Sequence, residues 1–310
     1  MVNFLFAAAT FACLLFCVSA NPIPENEKII QTTSDLTYYD NSYVRLFSAN
    51  DIIPEIVKLS EEQFSNETLS KIEPYIPPGS PSSGEADKRD YIEGPDDRVL
   101  LPSTSFPYAS VGRLYWSNGA VCSGALVGPR HVLTAKHCIK SGVSGKFAPG
   151  FDQTAKLGYG DVTHVITIGD EATGDCRHMG DWAVIIINKR LGDERGYFGV
   201  KTPDKSKIGQ VGFDHMGYPG DKDNTMRPYR QNNNKLLDKE WSCDGNGPFW
   251  TDTDLYGGQS GGPFWETLDS GRYIWGVLAV GQASNDRSWA GWACGSNMVS
   301  NVNRLLKEFA

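Results

Sequence analysis

Residues Gly257–Pro263 read Gly-Gly-Gln-Ser-Gly-Gly-Pro, and this stretch is the most informative part of the chain for both fold and function. Glycines on both sides of Ser260 let the backbone turn sharply while the serine hydroxyl stays exposed. The same turn aims the N–H groups of Gly258 and Ser260 at one point, where they would stabilise an oxyanion. The stretch therefore predicts a nucleophilic serine with two oxyanion donors.

The spacing Gly258-x-Ser260-x-Gly262 also matches the nucleophile elbow of α/β-hydrolases, in which the acid and then the histidine follow the serine along the chain. The chain has five histidines, namely His131, His137, His164, His178 and His215. All of them precede Ser260. The elbow interpretation, and with it a lipase or esterase, therefore fails, and the base must come from upstream.

The histidine best placed to act as this base is His137. The apolar run His131–Ala135 predicts a strand that delivers His137 just beyond its end. Cys138 directly follows the histidine and is available to clamp that turn. His131, in the same run, is expected on the opposite side of the strand or at the surface.

Asp181 is the third candidate, because it heads the strongly apolar run Trp182–Ile187. A carboxylate at such a position is costly to bury unless it accepts good hydrogen bonds. An imidazole Nδ1–H would be such a donor, and the carboxylate would fix the tautomer of the ring. The alternative is a turn aspartate that is exposed to water.

From residue 99 onward the chain shows short apolar runs broken by Gly, Pro, Asn and Asp, which is typical of an all-β sandwich or barrel. The predicted strands are Val111–Tyr115, Val121–Val127, His131–Ala135, Val165–Ile168, Trp182–Ile187, Val211–Phe213, Gly262–Trp265 and Tyr273–Val280. The end of the chain differs, since its apolar residues follow a helical spacing. A C-terminal helix is predicted to bury Val299, Val302, Leu305, Leu306 and Phe309.

The N-terminus predicts a signal peptide over residues 1–20 and therefore secretion. An apolar run, Phe4–Val18, leads into Val-Ser-Ala at 18–20, and small residues at these positions are what a signal peptidase accepts. The run of about 15 residues is shorter than the roughly 20 that a membrane-spanning helix needs. A membrane anchor is therefore disfavoured.

Residues 21–89 are predicted to be a propeptide. Their last part, from Ile76 onward, is rich in Pro, Gly and Ser, which indicates an exposed linker. The linker ends in the dibasic pair Lys88-Arg89, where a processing protease of the kexin kind would cut. The propeptide would assist folding or block the active site, and the sequence leaves both open. Residues 90–310 would then form the mature domain.

The charge of the chain argues against a polyanionic partner. Its net charge is −8, but residues 21–89 hold 12 acidic and 6 basic side chains, so residues 90–310 carry only −2. This balance gives no electrostatic basis for binding nucleic acid or an anionic membrane. The sequence has no H-E-x-x-H motif and no clustered ligand set, so neither a metal nor another cofactor is expected.

Four motifs, in this order, resemble the trypsin/chymotrypsin superfamily of serine endopeptidases, and above all its glutamyl endopeptidase (V8-like) branch. They are Cys122-Ser-Gly-Ala-Leu-Val, Leu133-Thr-Ala-Lys-His-Cys, Asp181-Trp-Ala-Val and Gly257–Pro263. The segment Asp96-Asp-Arg, followed by Ser105-Phe-Pro-Tyr, also resembles the start of the mature chains in that branch.

This resemblance covers residues 90–310. It implies two six-stranded antiparallel β-barrels, with a catalytic cleft between them. It also implies a triad of Ser260, His137 and Asp181 and a disulfide between Cys122 and Cys138. Gly281 would line the edge of the cleft, where the substrate backbone pairs. The pairing of the other mature cysteines is left open, and an odd thiol remains among Cys176, Cys243 and Cys294.

Some residues depart from the family pattern. Trypsin-like enzymes place an aspartate before the serine, and it pairs with the newly cut N-terminus. Gln259 stands there instead, so activation is expected through loss of the propeptide. Leu255 and Leu278 occupy the positions at which glutamyl endopeptidases hold a glutamate side chain, which argues against that specificity. Asp254 matches the trypsin position that selects Arg or Lys, although it would equally suit a solvent-facing turn.

The sequence thus predicts a secreted, monomeric serine endopeptidase that acts on polypeptides. Its own propeptide and a processing protease are the other expected partners. The alternative is a catalytically inactive relative that serves as a binding module. Such relatives usually lose a triad residue, whereas His137, Asp181 and Ser260 are all present here.

Overall fold

The computed structural model describes residues 31–33, 35–60, 69–80, 96–169, 172–283 and 288–310. The predicted signal peptide and the processing pair Lys88-Arg89 lie outside the described residues. Within the described ranges, no helix is both long enough and apolar enough to cross a bilayer.

Strands dominate the described chain. In chain order they are β1 (Gln31–Thr33), β2 (Tyr38–Tyr39), β3 (Glu55–Leu59), β4 (Lys71–Ile72), β5 (Val99–Leu100), β6 (Val111–Trp116), β7 (Ala120–Leu126), β8 (His131–Ala135), β9 (Gly145–Pro149), β10 (Gly160–Ile168), β11 (Trp182–Ile187), β12 (Gly199–Lys201), β13 (Phe213–Gly217), β14 (Tyr229–Asn234), β15 (Phe249–Thr251), β16 (Pro263–Leu268), β17 (Gly271–Ala283) and β18 (Ser288–Cys294). The α-helices are α1 (Gly174–Met179), α2 (Leu191–Arg195) and α3 (Ser296–Glu308).

The first sheet closes into a six-stranded antiparallel barrel. Its strands follow the order β11–β8–β7–β6–β9–β10, and β10 pairs back onto β11. Every residue of β6, β7, β8 and β11 is buried. Burial on both faces explains why β11 is an uninterrupted apolar run and why the other three strands are mostly apolar.

The second sheet contains the order β15–β18–β17–β16–β13–β14. An antiparallel bridge between Leu236, just after β14, and Thr251 of β15 joins its two ends. The all-β prediction, with antiparallel barrels and a C-terminal helix, is therefore confirmed. The largest hydrophobic cluster joins both sheets and α3, with Leu133, Trp265 and Val302 among its members.

Two parts of the second sheet differ from the sequence prediction. Val211 is 51% exposed, and the strand predicted at Val211–Phe213 begins only at Phe213. The segment Tyr229–Asn234, rich in Gln and Asn, forms β14, although it has no apolar alternation. Its side chains are polar and form hydrogen bonds instead of apolar contacts. For example, Asn234 Nδ2 donates to the carbonyl oxygen of Phe213 at 3.0 Å.

The predicted propeptide contributes strands to both sheets. Its β3 pairs in parallel with β10, and its β4 pairs with β12. Leu59, at the end of β3, is buried in the cluster that joins the two barrels. These contacts make the described part of the predicted propeptide pack against both sheets.

Candidate active site

His137 is held at the end of β8 by a short turn and a cross-link. The strand stops at Ala135, and one 3₁₀ turn, Lys136–Cys138, carries the histidine into the cleft. A disulfide joins Cys122 on β7 to the buried Cys138. The turn that bears the imidazole is therefore tied to the barrel wall on both sides.

Asp181 lies immediately before β11, which pairs with β8, and it contacts His137 twice. One carboxylate oxygen accepts the His137 backbone N–H at 2.9 Å, and the other lies 2.6 Å from His137 Nδ1. The residue is only 6% exposed. Because a carboxylate accepts hydrogen bonds, this contact fixes the Nδ1–H tautomer and leaves Nε2 free to accept.

Ser260 completes the arrangement from the second barrel. Its Oγ lies 2.7 Å from His137 Nε2, so the hydroxyl donates to the imidazole. The backbone around it turns through Gly258, with φ of 100°, and Gly261, with φ of 76°. A Cβ at Gly261 would collide with Thr134 Oγ1, so the turn needs glycine both for its conformation and for its close approach to β8.

Gln259 is buried, and its side-chain hydrogen bonds hold the turn that carries the serine. Its Oε1 accepts a hydrogen bond from Arg98 Nη1 at 2.7 Å and another from the Tyr256 backbone N–H at 2.8 Å. Its Nε2 donates to His215 Nε2 at 3.1 Å, while His215 Nδ1–H donates to the carbonyl oxygen of Pro263 at 2.9 Å. Burial lowers the pKa of His215 to about 4, so the ring is a neutral acceptor at neutral pH.

Arg98 brings a positive charge to this turn from the start of the predicted mature domain. Its side chain is 5% exposed, and its guanidinium also pairs with Asp96 at 2.7 Å and with Asp221 at 2.6 Å. The local sequence gave no sign of this role, because Arg98 and Gln259 are 161 residues apart. The contact places a fixed cation beside the residue that precedes the serine.

The predicted oxyanion donor Gly258 already has a partner. Its backbone N–H donates to the carbonyl oxygen of Leu36, in the predicted propeptide, at 2.7 Å. Sequence analysis did not find Leu36, since it lies in a segment without a catalytic motif. Its carbonyl now occupies a place where the oxygen of a reacting substrate would be expected.

A cavity of about 510 Å³ lies beside this carbonyl. The residues that line it are Thr33, Asp35, Leu36, Thr37, Tyr38, Leu255, Tyr256, Gly257, Gly281 and Gln282. Leu255 and Gly281 were predicted in the substrate pocket, and both lie here. Leu278 is fully buried in the hydrophobic cluster that includes Leu36 and, at its margin, Leu255.

Asp254 is not among the described residues that line this cavity. Its carboxylate accepts the backbone N–H of Asp97 at 3.0 Å. The charge of Asp254, second to burial, helps to raise the pKa of Asp97 to about 6. Asp254 thus faces another carboxyl group in the described structure and has no cationic partner there.

A second disulfide joins Cys176, in α1, to Cys243. This pairing was left open by the sequence, because the two residues are 67 positions apart. Cys294 is the remaining thiol of the described residues; it is buried, and burial raises its pKa to about 12. The bridge fixes α1, which leads directly into Asp181, to the second-barrel region.

Comparisons with known proteins identify the family. The family model for trypsin matches residues 102–302. A glutamyl endopeptidase of Bacillus licheniformis is 31% identical over 252 residues, which cover 78% of this chain and 72% of the relative. An extracellular metalloprotease of Bacillus subtilis is 28% identical over 211 residues, which cover 62% of this chain and 63% of that relative.

A solved structure of a Glu endopeptidase in complex with MPD has a TM-score of 0.58 at 21% identity. The match covers 69% of this chain and 98% of that one, and it shows a likeness of fold. Despite the name of the Bacillus subtilis relative, no group of at least three His, Cys, Asp or Glu side chains in the described residues is placed to hold a metal ion.

Proposed function

Because the chain belongs to the trypsin family of serine endopeptidases, we propose that Ser260, His137 and Asp181 form its catalytic triad. Ser260 Oγ attacks the scissile carbonyl and passes its proton to His137 Nε2, while Asp181 holds the ring and stabilises the imidazolium. His137 then protonates the leaving amine, and water hydrolyses the acyl-enzyme by the same route in reverse. Polypeptides are the substrates.

The observation that carries this proposal is the unbroken chain of hydrogen bonds from the serine to the carboxylate. Ser260 Oγ and His137 Nε2 are 2.7 Å apart, and His137 Nδ1 and Asp181 Oδ2 are 2.6 Å apart. Both distances are within the range that proton transfer needs. A binding module that had lost catalysis would have no need for this alignment.

The N–H groups of Gly258 and Ser260 are proposed to stabilise the oxyanion. The proposal is supported by the Gly258 N–H, which donates to the Leu36 carbonyl oxygen at 2.7 Å. Losing one such donor typically slows catalysis by on the order of 100–1,000-fold. The donors thus account for a large share of the expected rate enhancement.

The experiment that tests the triad uses processed protein and its Ser260→Ala variant. We expect the processed protein to hydrolyse casein and to react covalently with a fluorophosphonate probe, and the variant to do neither. Equal labelling of the variant would refute the role of Ser260. Folded, processed protein that neither labels nor cleaves casein would instead favour the inactive binding module.

We further propose that the chain is secreted as a precursor, with a signal peptide at residues 1–20 and a propeptide at residues 21–89. Its own propeptide keeps the precursor inactive, which is supported by the Leu36 carbonyl on the Gly258 N–H. A processing protease that cuts after Lys88-Arg89 would start its release. The mature enzyme is proposed to act as a monomer outside the cell.

An Arg89→Ala precursor tests this maturation step. We expect it to be secreted uncut and to react with the fluorophosphonate far more slowly than the processed enzyme. Uncut Arg89→Ala protein that reacts as fast as the processed enzyme would contradict the proposal, because a propeptide in the cleft would then not limit access to the serine.

A further inference from the structure

The first described residues of the predicted propeptide cross the cleft from one barrel to the other. We call residues 31–33 and 35–39 the cleft segment. Its strand β1 runs antiparallel to β17, with Thr33 opposite Gly281. Its strand β2 runs antiparallel to β7, with Tyr38 opposite Val121. An extended peptide that adds a strand to both sheets is a recurring mode of peptide recognition.

Leu36 lies at the centre of this crossing. Its carbonyl oxygen accepts the Gly258 N–H at 2.7 Å, next to the serine that is aligned with His137. Thr37 follows, and its Oγ1 lies 3.9 Å from Cys122 Sγ of the disulfide behind His137. The peptide bond between Leu36 and Thr37 therefore lies where a scissile bond would lie, and Leu36 takes the place of the P1 residue, which contributes the carbonyl group of that bond.

The side chain of Leu36 is almost completely enclosed. It is 7% exposed and belongs to the hydrophobic cluster that contains Leu278, with Leu255 packed against that cluster. No Lys, Arg or His is among the described residues that line the adjoining cavity. A carboxylate buried here would lack a described cationic partner, whereas an aliphatic side chain gains from leaving water.

We infer that the enzyme cleaves on the carboxyl side of leucine-sized aliphatic residues, and that the cleft segment is a built-in copy of such a substrate. The inference rests on the proposed function of the triad and adds its substrate class. It differs from the activity that names the Bacillus licheniformis relative, a glutamyl endopeptidase. It also differs from selection of Arg or Lys by Asp254, whose carboxylate is bonded to Asp97.

Two further hydrogen bonds hold the cleft segment on either side of the bond between Leu36 and Thr37. Asp35 Oδ1 accepts the Thr37 N–H at 2.9 Å, so the residues on either side of Leu36 are tied together. Lys140 Nζ reaches Thr37 Oγ1 at 3.3 Å. A peptide held in its bound conformation loses less entropy on binding, which suits an inhibitor.

The test is a set of fluorogenic peptides with the sequence of residues 31–39 and with Leu, Glu, Arg or Phe at the position of Leu36. With processed enzyme, we expect kcat/KM for the leucine peptide to exceed those for the glutamate and arginine peptides by at least about tenfold, the discrimination that burial of one apolar side chain supports. A higher value for glutamate or arginine would overturn the inference.

Fluorophosphonate labelling of the same enzyme separates this inference from the triad, because the probe carries no peptide side chain. Labelling at Ser260 together with preference for glutamate or arginine, or with no cleavage of the leucine peptide, would overturn the substrate class and leave the triad standing. Absence of labelling in folded, processed enzyme would overturn the triad itself.

A pair of precursor variants tests the cleft segment within the folded chain. In the uncut Arg89→Ala background, we expect Leu36→Glu to speed fluorophosphonate labelling at least about tenfold, because a charge is expelled from the apolar pocket. Leu46→Glu is the matched control, since Leu46 is in the same propeptide but is 51% exposed. Labelling of the Leu36→Glu precursor that stays as slow as the control would overturn the assignment of Leu36 to the pocket.

Discussion

Arg98 Nη1 donates to Gln259 Oε1 at 2.7 Å, so a cation from the start of the predicted mature domain is bonded to the residue that precedes Ser260. Asp96 and Asp221 hold the same guanidinium, which is almost fully buried. In trypsin-like enzymes a newly cut N-terminus pairs with an aspartate at the position of Gln259. Here the bond joins two side chains, so it does not depend on a free amino group.

Arg98→Met is therefore expected to slow fluorophosphonate labelling of the processed enzyme, because Gln259 loses a bond that fixes the oxyanion turn. Loss of the charge-assisted hydrogen bonds to Asp96 and Asp221 also destabilises the protein, by about 1–3 kcal/mol because both carboxylates are partly exposed. Lys146→Met is the matched control: the buried Lys146 of β9 donates to Asp161 of β10 at 2.6 Å, in the first barrel. An unchanged labelling rate in folded Arg98→Met protein would show that the bond does not position the turn.

Asp181→Asn should lower kcat by about 10,000-fold at neutral pH. An amide in place of the carboxylate can still accept the His137 backbone N–H, but its NH₂ group would face Nδ1. The ring would then carry its proton on Nε2 and have no acceptor for Ser260. Casein hydrolysis measures the effect, and Asp193→Asn, at an exposed ion pair with Arg190, serves as the control.

Burial raises the pKa of Asp252 to about 6, above its ordinary value of 3.8, and the charge of Asp254 acts in the same direction. The folded state then binds a proton more readily than the unfolded state, so this group reduces stability as pH rises from about 4 to 6. Asp252→Asn retains an acceptor for the Lys235 N–H, which Asp252 Oδ1 binds at 2.8 Å. We expect the variant to raise the free energy of unfolding by roughly 1–2 kcal/mol at pH 7, and not at pH 4.

Asp96→Asn is expected to lower the free energy of unfolding at pH 7, which is the opposite of the effect expected for Asp252→Asn. Hydrogen bonds from Arg98 hold the pKa of Asp96 well below its ordinary value. The ionised Asp96 carboxylate therefore stabilises the folded state above pH 4, and this stabilisation is lost as the pH falls through the pKa of Asp96 in the folded state. Denaturant unfolding at pH 4 and pH 7 measures both variants, and an equal effect of Asp252→Asn at the two pH values would contradict its assignment.

Cys294 should not react with thiol reagents in the native processed protein. It is buried, and burial raises its pKa to about 12, so little thiolate is present at pH 8. We expect one equivalent of thiol to become reactive only on unfolding, with the bridges Cys122–Cys138 and Cys176–Cys243 intact. Rapid reaction of one native thiol at pH 8 would show that this part of the second barrel opens readily.

The sequence predicted those parts of the fold and site whose signals are local. Strands β8 and β11 are buried on both faces and are therefore mostly apolar. The first leads to His137, and the second follows Asp181. Glycines flank Ser260 because the turn there requires positive φ. These signals need no knowledge of distant residues.

The parts that could not be predicted depend on distant pairings. Leu36 and Gly258 meet through backbone atoms, which leave no mark on residue type. Cys176 and Cys243 are joined across 67 residues, and three open cysteines gave no basis for choosing a pair. The strand Tyr229–Asn234 is stabilised by polar contacts and by its neighbours, so an apolar pattern could not reveal it.

The most direct measurement is the mass-spectrometric location of the fluorophosphonate adduct on processed protein. If the hydroxyl that lies 2.7 Å from the His137 ring is the activated nucleophile, a single adduct forms on the peptide that contains Ser260. We also expect its formation to slow sharply in His137→Ala protein. An adduct on another residue, or labelling that is independent of His137, would contradict the account.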